Sequence, residues 1–258
     1  MRVSFNSIKQ IVLACILLLL TYPSYAKTLI NVGVGYRVPY LFDNHTGLTY
    51  DLIKVMNAIQ TEYQFEVVEL PVKRKFESAQ QGWVDILMWD NMNWGWEQEN
   101  MSASVPLVAC KDLYVTQNEL GKTKSYFSDL KDKRIVGVNG FHYQFADFET
   151  DIDKLRNKFD ITLVRNEQDA ITMMLKRRAD IAIVNSVTLS WYLKSRPSVA
   201  KDILVSTTFD TQFNRHFLVP KRSEKITAGA LNAILASADK RGLLNPAYAK
   251  YGVPKPSF

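Results

Sequence analysis

Apolar positions along the chain come in two rhythms, short unbroken runs and longer stretches spaced like one face of a helix. Ile30 to Gly35 (INVGVG) is a short run closed by glycine, the pattern of a buried parallel strand. Leu52, Val55, Met56 and Ile59 follow at the spacing of an amphipathic helix that begins near Leu48. Phe65 to Leu70 predicts a second strand. Pro71 opens a helix that carries Phe76 and Ala79 and stops at Gly82. Asp85 then leads into a third strand, Ile86 to Trp89. Strands alternating with helices predict parallel βαβ units.

The order recurs downstream. Arg134 to Asn139 (RIVGVN) echoes the first run, and Ile161 to Val164 reads as a strand. Asn166 caps a helix carrying Ala170, Ile171, Met174 and Leu175, and Asp180 starts the strand Ile181 to Val184 as Asp85 started its counterpart. Two copies of one unit predict two similar lobes. Leu107 to Gln117 runs between the copies; Ile203 to Phe209 and His216 to Pro220 follow the second. If these segments pass side by side between lobes they make a hinge, and helices at Ser223 to Arg241 and Asn245 to Tyr251 complete the first lobe. The expected division is residues 27–108 with 211–258 in lobe 1, and residues 109–210 in lobe 2. The fold class is therefore α/β, with two lobes, each a mainly parallel sheet flanked by helices, and two hinge crossovers. A cleft between such lobes is a place to enclose a ligand.

The first 26 residues change the setting. Arg2 and Lys9 give a positive start, Ile11 to Leu20 are apolar, and Ser24-Tyr25-Ala26 offers small residues where a signal peptidase reads. This predicts a secretory signal peptide cut after Ala26 and a periplasmic protein. An uncleaved anchor is the alternative, but the apolar run is about half the length needed to span a bilayer. A lipoprotein reading would lipidate Cys15, which lies inside the apolar run instead of at its end. With the signal gone, Cys110 is the only cysteine, so no intramolecular disulfide is expected and Cys110 is predicted to be a small buried side chain.

Composition narrows the rest. The chain has 258 residues, 47% hydrophobic and 22% charged, which excludes a disordered or low-complexity protein. Its net charge of +6 is spread without a stripe or tail, which argues against a nucleic-acid partner.

The phrases INVGVGYRVPY before the LTYDLIKVMNAI helix, SDLKDKRIVGVNG, NEQDAITMMLKRRADIAIVNS and the closing GLLNPAYAKYG carry a resemblance. In this order they resemble the bacterial extracellular solute-binding proteins of family 3, the periplasmic amino-acid-binding type. The resemblance implies a type II periplasmic-binding-protein fold in a monomer. It also implies capture of a small polar or charged molecule for an ABC-type permease. A sensor that docks on a membrane receptor, or a dehydratase-like lyase, would use the same fold.

Ligands in parallel α/β lobes bind beyond the C-terminal ends of the strands. That rule selects Tyr36 and Arg37, Trp89 and Asp90, Gly140 to His142, and Asn185 with Ser186. The resemblance selects nearly the same positions and also exposes two departures. The family's threonine-x-x-arginine phrase, whose arginine holds the ligand carboxylate, is here Asn93-Trp94-Gly95-Trp96-Glu97. The family's acid for the ligand ammonium is here Asn185. With both handles changed, a standard α-amino acid is not the expected ligand.

Other groups are candidates in their place. Arg74 resembles an arginine in a proline-x-x-arginine phrase of a divergent branch, and its planar fork suits an oxyanion; otherwise it is a solvated cation beside Lys73 and Lys75. Asp90 would contact a cation, pair with Arg74 or cap the following turn. Trp83 is expected in the core, with one or two of Trp89, Trp94 and Trp96 in the cleft. Phe141 and His142 are placed at a helix start whose amides suit an anion, although a lone histidine is more often polar surface. His45, His142 and His216 lack metal-pair spacing, and no cofactor is expected. For a lyase, Asp90 or Glu97 would be the proton-moving acid.

Overall fold

The computed structural model of the chain describes residues 26–42, 44–71, 74–96 and 99–258. The expected signal peptide up to Tyr25 lies outside them, as do Lys73 and Glu97.

In the first half, β1 (Thr28–Gly35), α1 (Leu48–Ile59), β2 (Tyr63–Leu70), α2 (Lys75–Gln80) and β3 (Ile86–Asp90) follow in chain order. A short β4 (Met101–Ala103) and the longer β5 (Val108–Gln117) come next. The second half holds β6 (Ile135–Val138), α3 (Ile152–Lys158), β7 (Ile161–Val164), α4 (Glu167–Leu175), β8 (Ile181–Asn185) and α5 (Ser186–Ser195). β9 (Ile203–Pro220), α6 (Ala228–Lys240) and α7 (Asn245–Tyr251) end the chain.

The duplication predicted from sequence is visible in the strand order, β2-β1-β3-β9-β5-β8-β6-β7. β1 lies parallel between β2 and β3, and β6 lies parallel between β7 and β8. The equivalent glycines Gly33 and Gly137 mark close packing. A methyl group on either would come within 2.9 Å of Leu70 and Leu87, or within 2.8 Å of the Tyr143 ring. The equivalent aspartates use one device. Asp85 accepts from the Asn31 amide at 2.7 Å and Asp180 from the Arg134 amide at 2.9 Å, tying the start of the third strand to the first.

Between the two triplets run β5 and β9, paired antiparallel along their length. β9 reaches β3 and β4 with its C-terminal part, while β5 reaches β8. The second connection is thus one unbroken strand, where the sequence pattern suggests two pieces. α6 and α7 pack on the first half, where Leu231, Leu235 and Tyr248 join the core of β1 and α1. Separate cores built on Ala170, Ile171 and Val184 and on Ile135, Tyr143 and Ile181 serve the second half.

Two residues show how local context decides burial. Cys110 is 2% exposed, as expected of a small apolar side chain. Trp83 was expected in the core but is 52% exposed. It sits in the turn after Gly82, and Val84, 2% exposed, takes the inward position.

Candidate functional site

A cavity of about 80 Å³ opens where segments following the strands of both halves meet the central strands. That is several times the roughly 10–15 Å³ one water needs, so it suits a small molecule. Tyr36 and Arg37 reach it from the end of β1, and Trp89, Asp90 and Trp94 from the end of β3. Gly140, Phe141 and His142 reach it from the end of β6. Seven of the expected site residues therefore meet in one place. His142 lies half-buried, its ring stacked at 6.3 Å and 4° on Trp94 across the two halves. Of the tryptophans, Trp89, Trp94 and Trp96 all line the cavity, one more than expected.

Backbone geometry turns the end of β3 inward. Trp89 has φ of +64°, a left-handed conformation that costs a bulky residue about 1–3 kcal/mol. It is held in that turn from both sides. Its ring N–H donates to Thr49 Oγ1 at 2.8 Å, and its carbonyl accepts from Arg215 Nη1 at 2.9 Å. Asp90 comes next, 2% exposed, and accepts from Lys75 Nζ at 2.9 Å, the Trp96 ring N–H at 3.2 Å and the Asn91 amide at 3.0 Å.

Charges from both halves lie at this wall and behind it. Arg37 lies 4.1 Å over the Phe141 ring and 3.7 Å from Glu167 Oε2. Thr188 Oγ1, on α5, lies 2.9 Å from both Glu167 Oε2 and the Val38 carbonyl, so its single O–H is shared between them and ties the β1–α1 loop to the second half. Asp112 on β5 accepts from Asn185 Nδ2 at 3.0 Å and Thr211 Oγ1 at 3.1 Å. Burial, and after it the charge of Glu167, pushes the Asp112 carboxyl up to about 7.

Three expectations are corrected. Arg74 is exposed at the N-terminal edge of α2 and is not among the cavity-lining residues; its neighbour Lys75 takes the inward direction, so the helix phase differs by one residue. Asn185 is fully buried and off the cavity wall, because its carbonyl oxygen caps α5 at the Val187 amide while its amide group serves Asp112. No helix starts at Phe141 and His142. The nearest is a short 3-10 turn, Gln144–Ala146, and the amides of Gln144 and Phe145 are filled by the Asp210 carboxylate at 2.7 and 2.9 Å. The anion site was expected at the Phe141 and His142 amides, but the Phe141 amide donates to the Val138 carbonyl at 3.2 Å and the turn amides downstream already hold the protein's own acid.

Lys75, Asp112, Phe213 and Arg215 were not foreseen as wall residues. A signal existed for two of them. Cys110, Asp112 and Tyr114 share the buried face of β5, and Phe213, Arg215 and Phe217 share a face of β9. A charge in register with apolar neighbours on a buried strand is unusual and marks a site.

No family model and no curated protein sequence matches this chain. Solved structures do. The GluR0 ligand-binding core from Nostoc punctiforme in complex with L-glutamate superposes with a TM-score of 0.68 at 16% identity, covering 87% of this chain and 100% of that one. The ancestral amino-acid-binding protein AncCDT-1, a precursor of cyclohexadienyl dehydratase, gives 0.66 at 19% identity, covering 87% and 95%. A double mutant of the BvgS VFT2 domain from Bordetella pertussis gives 0.65 at 16% identity, covering 87% and 93%.

The chain has the two-lobe type II periplasmic-binding-protein fold. These similar structures include a ligand-binding core and an ancestral amino-acid-binding protein that is the precursor of an enzyme, so one fold serves different tasks.

Proposed function

We propose that this protein is exported, cut after Ala26, and works as a monomeric solute-binding protein that closes two lobes over a small polar or charged molecule. Residues 27–108 with 211–258 form one lobe and residues 109–210 the other. The observation that carries the reading is the cavity walled by post-strand segments of both halves, with Arg37 reaching across to Phe141 and Glu167. A ligand there touches both lobes at once, so its binding energy favours the closed state. The ligand is delivered to an ABC-type permease, and it is not a standard α-amino acid. In support, Asn185 is engaged in capping and the Trp94 turn carries no arginine among its described residues.

A thermal-shift screen against amino acids, small organic acids, polyamines and oligopeptides tests this. A true ligand at a hundredfold excess over Kd stabilises the protein by about 2.7 kcal/mol, and small-angle scattering shows compaction with the same ligand. Sustained product formation from a hit assigns the protein to the lyases instead. The likeness to the BvgS domain favours a second reading, a sensor read by a membrane receptor. Co-purification of the liganded protein with a membrane kinase, and not with a permease, selects it.

A further inference from the structure

We propose that Arg215 is the anion clamp of this cavity and that the ligand is a small organic anion, a carboxylate or similar planar oxyanion on a flat apolar body. The proposal rests on the ligand-binding reading above and names its ligand class.

Arg215 stands on the cavity wall and is 3% exposed. Nη1 is taken by the Trp89 carbonyl, but Nε and Nη2 are buried and have no hydrogen-bond partner among the described residues. Those two nitrogens share one edge of the guanidinium, the edge whose parallel N–H bonds meet both oxygens of a carboxylate. A buried cation with unfilled donors is costly until an anion completes it. The neighbouring cations are already committed, Lys75 to Asp90 at 2.9 Å and Arg37 to Glu167 at 3.7 Å. Arg215 makes no ion pair among the described residues, so it is the cation left for a ligand.

The opposite charge is not on offer. Asp90 is bonded to Lys75 and Trp96, and Asp112 to Asn185 and Thr211. A ligand ammonium would compete with these donors for either acid. The body of the ligand is set by the rings around the clamp. The guanidinium carbon lies 4.9 Å from the centre of Trp94, 5.0 Å from Phe213 and 5.7 Å from Tyr40, with Phe141 and His142 completing the wall. Such faces exclude water from the ion pair and stack on planar groups.

Calorimetry and thermal shift on the mature protein test the assignment with a matched set: benzoate, phenylacetate, phenylacetamide, phenethylamine, L-glutamine and inorganic phosphate. The expected result is binding of the aromatic carboxylates and none of the amide, amine or phosphate. Arg215→Met is expected to weaken carboxylate binding about tenfold to hundredfold. Its unliganded Tm is expected to fall by no more than a few degrees, because losing the bond to the Trp89 carbonyl is offset by removing a buried charge with two unfilled donors, so the lost affinity is not a lost fold. If Arg215→Met does not fold, Arg215→Lys keeps the charge and loses the fork, and the same weakening is expected. Carboxylate binding that survives these substitutions overturns the clamp. So does binding confined to phenethylamine or L-glutamine, which leaves the binding-protein reading standing. No binding in this set or in the wider screen overturns both.

Discussion

At the ends of their third strands the two halves of the molecule part company. β3 ends in Trp89-Asp90 and β8 in Val184-Asn185, equivalent positions in a repeated unit. In the second half the strand runs straight into α5, and Asn185 is withdrawn to cap it. In the first half the left-handed turn at Trp89 delays the chain, and no helix follows at once. The residues so freed, Trp94 and Trp96, line the cavity, and Asp90 is held there by Lys75. One copy ends in a regular strand-to-helix junction and its twin bends into the cavity wall. The lesson is that a strained ending persists where its surroundings over-determine it, here through the Thr49 and Arg215 bonds to Trp89.

Making the first half resemble the second breaks the contrast most severely. Asp90→Asn leaves Lys75, with a side chain only 12% exposed, without its counterion. A loss of about 3 kcal/mol is expected in urea unfolding, because the remaining charge is buried alone. For an anionic ligand the same variant binds as well or better, since a repelling charge has gone.

The reverse exchange, Asn185→Asp, keeps a good helix cap but sets a third acid beside Asp112 and Glu167. A destabilisation of about 2 kcal/mol at pH 8 is expected from like charges at this separation. It shrinks as pH falls and the acids take up protons; a loss independent of pH contradicts the electrostatic account.

A third measurement sharpens the comparison through pH alone. Asp112 titrates near 3.8 in the unfolded chain and about 7 in the native one. Between these values the native state holds the extra proton, so the stability from this group is full below about 4 and lost as pH rises to about 7. Unfolding free energy should therefore fall over that window, and Asp112→Asn should flatten the fall.

The smallest effects separate the helices that follow the second strands. Asn166 caps α4 through the Asp169 amide at 2.8 Å, whereas α2 begins at Arg74 with no side-chain cap. Asn166→Ala should cost about 1 kcal/mol. Arg74→Ala, an exposed change, should stay within about 0.5 kcal/mol and leave ligand affinity unaltered.

The alternation of apolar runs and helical spacings determined much by itself. The repeat, the order of strands and helices and the closing helices were legible because each depends on local periodicity. That Tyr36, Arg37, Trp89, Asp90, Trp94, Phe141 and His142 would come together was legible for a related reason, since strand ends in parallel sheets converge on one edge; they line one cavity. Tertiary structure decided the rest. Whether Arg74 or Lys75 faces the cavity turned on helix phase, a matter of one residue. Whether Asn185 meets a ligand or caps a helix turned on what the next residues did. Arg215 and Asp112 lie on strands distant in sequence from the other wall residues. Only the pairing of β5 with β9, which sets Asp112 opposite Thr211 and Arg215 opposite Val108, brings both to the cavity, because strand register across a hundred residues is fixed by packing and not by local pattern.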